Sequence, residues 1–146
     1  WLITRDDALA ELFLAAKEQM VITGPIIEEE IAYQVYQKRD VLLKQVNQER
    51  DVALQIVKNW VTNEAMMEWI EPSGGVVCFP RIKSTASVGT EDFHKRINEL
   101  GVFVGPGHWF EQERRYMRLG YAWPTLQELE TGLEKISQAL RETIKD

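Results

Sequence analysis

The sequence has very few of the residues that build metal centres and covalent cross-links. Its 146 residues include one cysteine and two histidines. A single thiol excludes an internal disulfide framework and fits a reducing compartment, so a cytoplasmic protein is expected. Cys78, His94 and His108 are too widely spaced to form a recognisable metal-ligand motif, and no metal site is predicted.

Long apolar runs and an excess of basic residues are also absent. No run approaches the roughly 20 apolar residues that a membrane-spanning helix needs. Acidic residues number 23 against 17 basic ones, for a formal net charge of −6. A protein of this charge is poorly suited to the phosphate backbone of nucleic acids. We therefore expect no membrane and no nucleic-acid partner. With 45% hydrophobic residues, the chain can bury a real core.

The first half of the chain is predicted to be helical. An amphipathic helix begins at Asp6 and Asp7, where negative charge favours a helix N-terminus. Residues 21–25 interrupt it, and a second helix is expected over residues 26–37. A third, long helix follows over residues 38–61. The apolar stripe predicted for this long helix comprises Leu42, Val46, Ala53, Ile56 and Trp60.

The last helix has the clearest pattern, because six apolar residues recur at steps of three or four from Leu126 to Ile144. Two starts are compatible with the sequence. Pro124 suits a first-turn position, and Thr125 with Glu128 offers a capping box.

A strand carrying one arginine lies before this helix. Alternation along residues 116–121 puts Met117, Leu119 and Tyr121 on one face of the strand and Arg118 on the other. Gly120, two residues on, leaves space beside Arg118. A guanidinium held in this way can grip a carboxylate through two parallel hydrogen bonds. The alternative is an exposed arginine in a weak surface ion pair. Arg114 and Arg115 lie in a polar turn and are expected to be solvated.

Four segments together resemble one enzyme family. They are Pro72-Ser-Gly-Gly75 with the strand expected over residues 76–79, the helix expected from Thr90 to about Leu100, the run Gly101-Val-Phe-Val-Gly-Pro-Gly107 with Phe110, and the arginine strand over residues 116–122. In this order and spacing they resemble the C-terminal part of pyridoxal phosphate (PLP)-dependent aminotransferases of fold type I, class I/II.

The resemblance implies an α+β fold: a two-layer small domain with a small, mostly antiparallel sheet and helices on one side. It also implies that residues 1–37 are the C-terminal remnant of a large PLP-binding domain, with leftover helices. Residues 38–146 would then be the small C-terminal domain, including the long interdomain helix. The opening residues, Trp1 to Ile3, resemble the end of a strand in the large domain.

The resemblance implies that Arg118 binds the α-carboxylate of an amino-acid substrate. The lysine that forms the Schiff base with PLP is expected upstream of Trp1, because no lysine of this sequence has the family's serine three residues before it in the required context. The chain is therefore expected to be a C-terminal fragment that contains no catalytic residue and is inactive alone. Thr23, in the break between two helices, is the nearest match to a family residue that approaches the PLP phosphate of the partner subunit. The alternative is an ordinary turn threonine.

The whole protein implied by this resemblance transfers an amino group between an amino acid and a 2-oxo acid, uses PLP and forms a homodimer. Two other functions stay open. The family's fold also carries PLP-dependent lyases and synthases, and a stand-alone α+β interaction module could keep the fold without the chemistry.

Overall fold

A computed structural model of the chain describes residues 2–145. The chain forms two compact units, Trp1–Lys44 and Gln45–Asp146, and the division falls inside a long helix. The domain boundary expected after residue 37 stays a prediction.

The first unit contains two helices, α1 (Asp7–Met20) and α2 (Ile26–Gln37), and the start of α3 (Arg39–Asn63). Asp6 caps α1, since its Oδ1 accepts a hydrogen bond from the backbone N–H of Leu9 at 3.1 Å. Both helices and the break between them agree with the sequence prediction. Leu2 and Ile3 form no strand, so that expectation is wrong for them, and Trp1 lies outside the described residues. No side chain of α1 or α2 is buried.

The second unit combines the rest of α3 with five short strands and two more helices. In chain order these are β1 (Met67–Glu68), β2 (Val77–Cys78), β3 (Arg81–Ile82), α4 (Thr90–Glu99), β4 (Gly105–Pro106), β5 (Met117–Gly120) and α5 (Leu126–Glu142). The strands form two antiparallel sheets, β1-β3 and β2-β5-β4, with β5 in the centre of the larger one. This is the expected α+β class.

The start of α5 follows the capping-box alternative. Thr125 is the N-cap: its side chain accepts from the backbone N–H of Glu128, and the carboxylate of Glu128 accepts from the backbone N–H of Thr125 at 2.9 Å. Pro124 therefore precedes the helix. The predicted helix is two residues too long at its end, because Ile144 makes a β-bridge with Val88 instead.

One hydrophobic core joins the larger sheet to the helices of the second unit. Met117, Leu119 and Tyr121 are all buried and point into it, as alternation predicts, whereas Arg118 and Gly120 are exposed. Phe93 and Ile97 of α4 are fully buried in the same cluster. The sheet thus has one face in the core and the other face open to solvent.

The stripe predicted for α3 is correct only in its second half. Ala53 is buried, and Ile56 and Trp60 pack against the core. Leu42 and Val46 are exposed, and the other buried positions of the helix are Val57 and Val61. The reason is that only the C-terminal half of α3 packs against this core. No helix within residues 2–145 is long and apolar enough to cross a membrane.

The buried thiol of Cys78 leads to a first testable prediction. Burial raises the pKa of Cys78 to about 12, so almost none of it is thiolate at pH 8. We expect alkylation by iodoacetamide at pH 8 to be more than about tenfold slower in the native protein than in urea.

The same shift affects stability at alkaline pH. The pKa of the Cys78 thiol is higher in the folded state than in the unfolded chain, where it is about 8.5. The stabilising contribution is complete below that pH and is lost as the pH rises towards about 12. If iodoacetamide alkylated Cys78 at the same rate in the native protein and in urea, the burial of this thiol would be contradicted.

Candidate functional site

The solvent face of the larger sheet carries the candidate site. Arg118 lies at the centre of this face, on the middle strand β5, and is paired across the sheet with Gly105 of β4. Gly120 follows on the same face, and a Cβ added to it would meet no atom within 4 Å. Gly120 is exposed and leaves open space beside Arg118, whereas Gly105 is buried, with Phe110 and Arg118 close to it.

The guanidinium of Arg118 touches an aromatic ring but no acid. Its Cζ lies over the ring of Phe110, 5.0 Å from the ring centroid. Within residues 2–145 it makes no hydrogen bond and has no carboxylate oxygen within 4.0 Å. A cation that contacts a ring in this way uses none of its N–H donors, and the donors of Arg118 are therefore available.

The two arginines that lie over the ring of Tyr116, Arg81 and Arg115, already have acid partners. Arg81 donates from Nε to Glu68 at 2.7 Å and from Nη1 to the hydroxyl of Tyr116. These two bonds, that to Tyr116 first, raise the pKa of Arg81 above its ordinary value. Arg115 donates from Nε to Glu113 at 2.9 Å. Of these three arginines, Arg118 is the one that makes no hydrogen bond within residues 2–145. Its N–H donors are therefore available to a bound anion.

A row of aromatic rings runs from Arg118 to Arg81. The ring of Phe110 meets that of Phe79 edge to face, with centroids 5.6 Å apart. Phe79 in turn stacks on Tyr116 at 5.5 Å. Aromatic pairs at these distances add to the free energy gained by burying the rings. The row therefore places an apolar surface beside Arg118, which has no acid partner within residues 2–145.

The Gly-Pro-Gly turn places Phe110 in this row. Residues 107–110 form a short 3₁₀ helix directly after β4. Gly107 donates from its backbone N–H to the carbonyl of Tyr116 at 2.8 Å, which fastens the turn to the chain entering β5. A Cβ on Gly107 would overlap the carbonyl oxygen of Glu113 and lie 2.9 Å from Cβ of Tyr116. Only glycine allows this approach.

The polar turn before β5 is largely exposed, as the sequence predicts, and its two arginines also have acid partners. Arg114 forms an ion pair with Glu91 of α4, with Nε 2.8 Å from Oε1. Its carbonyl also lies 2.9 Å from Nε2 of His94. Arg114 is exposed, as expected, and is also paired; Arg115 is half-buried and is paired with the exposed Glu113. Sequence alternation cannot reveal such partners because they come from other elements or from turn geometry.

Thr23 lies in the first unit, in the turn between α1 and α2. It is exposed, and within residues 2–145 its hydroxyl makes no hydrogen bond. Arg118 belongs to the second unit. The two predicted site residues are therefore each described within their own unit.

In the part of the chain that is described, no group of three or more His, Cys, Asp or Glu side chains could hold a metal ion.

Sequence reasoning missed the surroundings of Arg118. It assigned no role to Phe110, Phe79, Tyr116 or Arg81. The three aromatic residues all lie in the segments that carry the family resemblance. The available signal was their position: residues 77, 79, 116, 118 and 120 alternate onto one face once β2 and β5 are paired. That pairing is long-range and becomes visible only in the folded chain.

Comparisons with known proteins agree with this architecture. No family model matches the chain. An uncharacterised aminotransferase from Saccharolobus solfataricus is 21% identical over 97% of this chain and 36% of its own length. Aromatic-amino-acid aminotransferase 2 from Thermococcus litoralis is 33% identical over 55% of this chain and 21% of its own. A crystal structure of a PLP-dependent aminotransferase from Streptococcus suis superposes with a TM-score of 0.76 and 27% identity, over 89% of this chain and 34% of that one.

These matches confirm the predicted fold class and the predicted resemblance. The chain spans about a third of the length of the first curated relative and of the Streptococcus suis structure.

Proposed function

We propose that this chain, whose relatives and fold neighbours are PLP-dependent aminotransferases, supplies the substrate-carboxylate side of such an enzyme. In this proposal residues 1–37 belong to a large PLP-binding domain and residues 38–146 form the small domain. The reaction is the transfer of an amino group between an amino acid and a 2-oxo acid. PLP-dependent lyase or synthase chemistry on the same fold remains the alternative reaction.

One observation carries the proposal: Arg118 is exposed, lies beside the Phe110 ring, and within residues 2–145 has neither an acid partner nor a hydrogen bond. An amino acid and a 2-oxo acid have one group in common, the carboxylate beside the reacting carbon. A planar guanidinium matches both oxygens of that group at once. Arg118 would therefore hold both substrates in the same orientation during the two halves of the reaction.

The cofactor proposed for the complete enzyme is PLP, which supplies an electron sink for the carbanion that forms beside the carboxylate. The residue of this chain proposed to contact it is Thr23. Its exposed hydroxyl is a suitable donor to a phosphate oxygen of the group bound in a partner subunit. Arg118, whose donors are reserved for the substrate, is not assigned to the cofactor.

A homodimer is part of the proposal because the family resemblance implies one, and the first unit has apolar side chains that the rest of the large domain or a second subunit would cover. Leu12 of α1 is 61% exposed, and Ile27 of α2 is 72% exposed. Apolar surface of this extent is typical of a protein interface. A cytoplasmic location is proposed from the single cysteine, which fits a reducing compartment.

The proposal predicts that the 146-residue chain forms no covalent adduct with PLP and does not transaminate. A Schiff-base lysine needs burial or neighbouring charge to lower its pKa. None of the eight lysines is buried: five are exposed, and Lys58, Lys83 and Lys135 are half-buried. The measurement is incubation with PLP, reduction with borohydride and peptide mapping, with a complete aminotransferase treated in parallel. A stoichiometric adduct on one lysine together with amino-acid-dependent turnover would refute this assignment.

A further inference from the structure

We propose that Phe110 is a positioning residue for Arg118. In this inference, which rests on the proposed function, the ring holds the guanidinium flat so that its donor edge faces the incoming carboxylate. The row of side chains behind Phe110 keeps the ring in place.

The first step is the contact itself. Arg118 is exposed on a strand, and a free arginine side chain there would sample many rotamers, which a bound carboxylate would have to restrict. Its Cζ instead lies 5.0 Å from the centroid of the Phe110 ring. Attraction between the cation and the π face restricts the guanidinium before substrate arrives and uses none of its hydrogen bonds. Preorganisation of this kind raises affinity by lowering the entropy lost on binding.

The second step is the close approach of the two residues, which depends on the glycine between them. Gly105 is the cross-strand partner of Arg118. A Cβ on Gly105 would lie 3.2 Å from Cε2 of Phe110 and 3.3 Å from Cβ of Arg118. Both distances are tighter than ordinary van der Waals contact. A side chain larger than alanine at position 105 would therefore wedge the ring and the arginine apart.

The third step is the anchoring of the ring. Phe110 meets Phe79 edge to face, and Phe79 stacks on Tyr116 with an interplanar angle of 25°. The Tyr116 hydroxyl accepts a hydrogen bond from Arg81. Arg81 is in turn paired with Glu68, its partner across the β1-β3 sheet. The row therefore ends on an ion pair in the second sheet, which links the orientation of Phe110 to both sheets of this unit.

The test uses the whole 146-residue chain and the Arg118 side-chain Nε–H signal in nitrogen NMR. We expect an upfield ring-current shift and restricted motion for this signal. Phe110→Leu, which keeps apolar volume but removes the ring, should abolish the shift and increase the motion. Phe110→Tyr, which keeps the ring, should preserve both. Sodium acetate serves as the carboxylate probe, and sodium chloride at equal ionic strength is the control.

In this titration Phe110→Leu is expected to weaken acetate binding about three- to fivefold, and Phe110→Tyr to restore it. Gly105→Val keeps Phe110 but should separate its ring from Arg118, and it is therefore expected to weaken acetate binding in the same way. The amide spectrum of each variant reports whether the fold is kept, and Gly105→Val decides the matter should Phe110→Leu unfold.

The outcomes separate this inference from the proposed function. Should Phe110→Leu and Gly105→Val leave both the shift and the acetate affinity unchanged while acetate still moves the Arg118 signal, the positioning role is overturned and the carboxylate role stands. If acetate leaves the Arg118 signal of the unsubstituted chain unmoved, the carboxylate role fails, and the ring-current shift alone then decides whether Phe110 holds the guanidinium.

Discussion

Replacing Arg118 with lysine is expected to lower kcat/KM of the complete aminotransferase proposed to contain this chain by roughly 30- to 900-fold. This factor corresponds to a loss of about 2–4 kcal/mol of transition-state stabilisation. The physical reason is geometric, because an ammonium presents a point charge where the guanidinium offers two parallel donors. The loss should be similar for every α-amino acid, since the carboxylate is common to all of them. Steady-state kinetics with two amino acids of different side chains provide the measurement.

Arg115→Lys is the matched control for this prediction. Arg115 lies three residues earlier in the same chain segment, carries the same charge and also approaches an aromatic ring, that of Tyr116. Its donors already bind Glu113. We expect kcat/KM of this variant to stay within about twofold of the parent, as for other surface ion pairs. Equal losses in both variants would mean that general electrostatics, and not a carboxylate grip by Arg118, accounts for the effect.

Gly107→Ala is expected to destabilise the second unit by about 2–3 kcal/mol, at the upper end of the cost of overpacking. The added methyl group would overlap the carbonyl oxygen of Glu113 and press on Tyr116. Relief requires the turn to move away from β5, which breaks the Gly107–Tyr116 backbone bond. Because Phe110 lies in the same short helix, the ring contact with Arg118 should be lost as well. Urea denaturation measures the first effect, and the Arg118 side-chain signal measures the second.

Gly132→Ala provides the control with the opposite sign. Gly132 lies inside α5, and a Cβ there would meet no atom within 4 Å. Alanine is the better helix former, so the free energy of unfolding should rise by about 0.8–1 kcal/mol. A loss of stability at Gly132, or an unchanged stability at Gly107, would contradict the local geometry described for these two glycines.

Much of the local structure could be predicted because it depends on neighbouring residues in the chain. Helix α5 is an example: its apolar spacing and its capping box both lie within a few residues, and both are present. The alternation that points Arg118 to solvent and Met117 to the core is equally local. The stripe of α3 was predicted only in part, because a helix pattern shows where apolar residues lie but not how far along the helix a core extends.

The sequence by itself determined the α+β class, the family resemblance and the choice of Arg118. Each of these depends on short segments whose spacing is visible in one dimension. Only the tertiary structure decided that, within residues 2–145, Arg118 lacks an acid partner whereas Arg81 and Arg115 have one. Glu68 lies 13 residues from Arg81, and Tyr116 lies 35 residues from it, yet both bind it. The contact of Arg118 with Phe110 was decided in the same way, because Gly105 brings them together only after β4 has paired with β5. Hydrogen bonds and ring contacts act over a few ångströms, and that proximity is created by strand pairing across long stretches of chain.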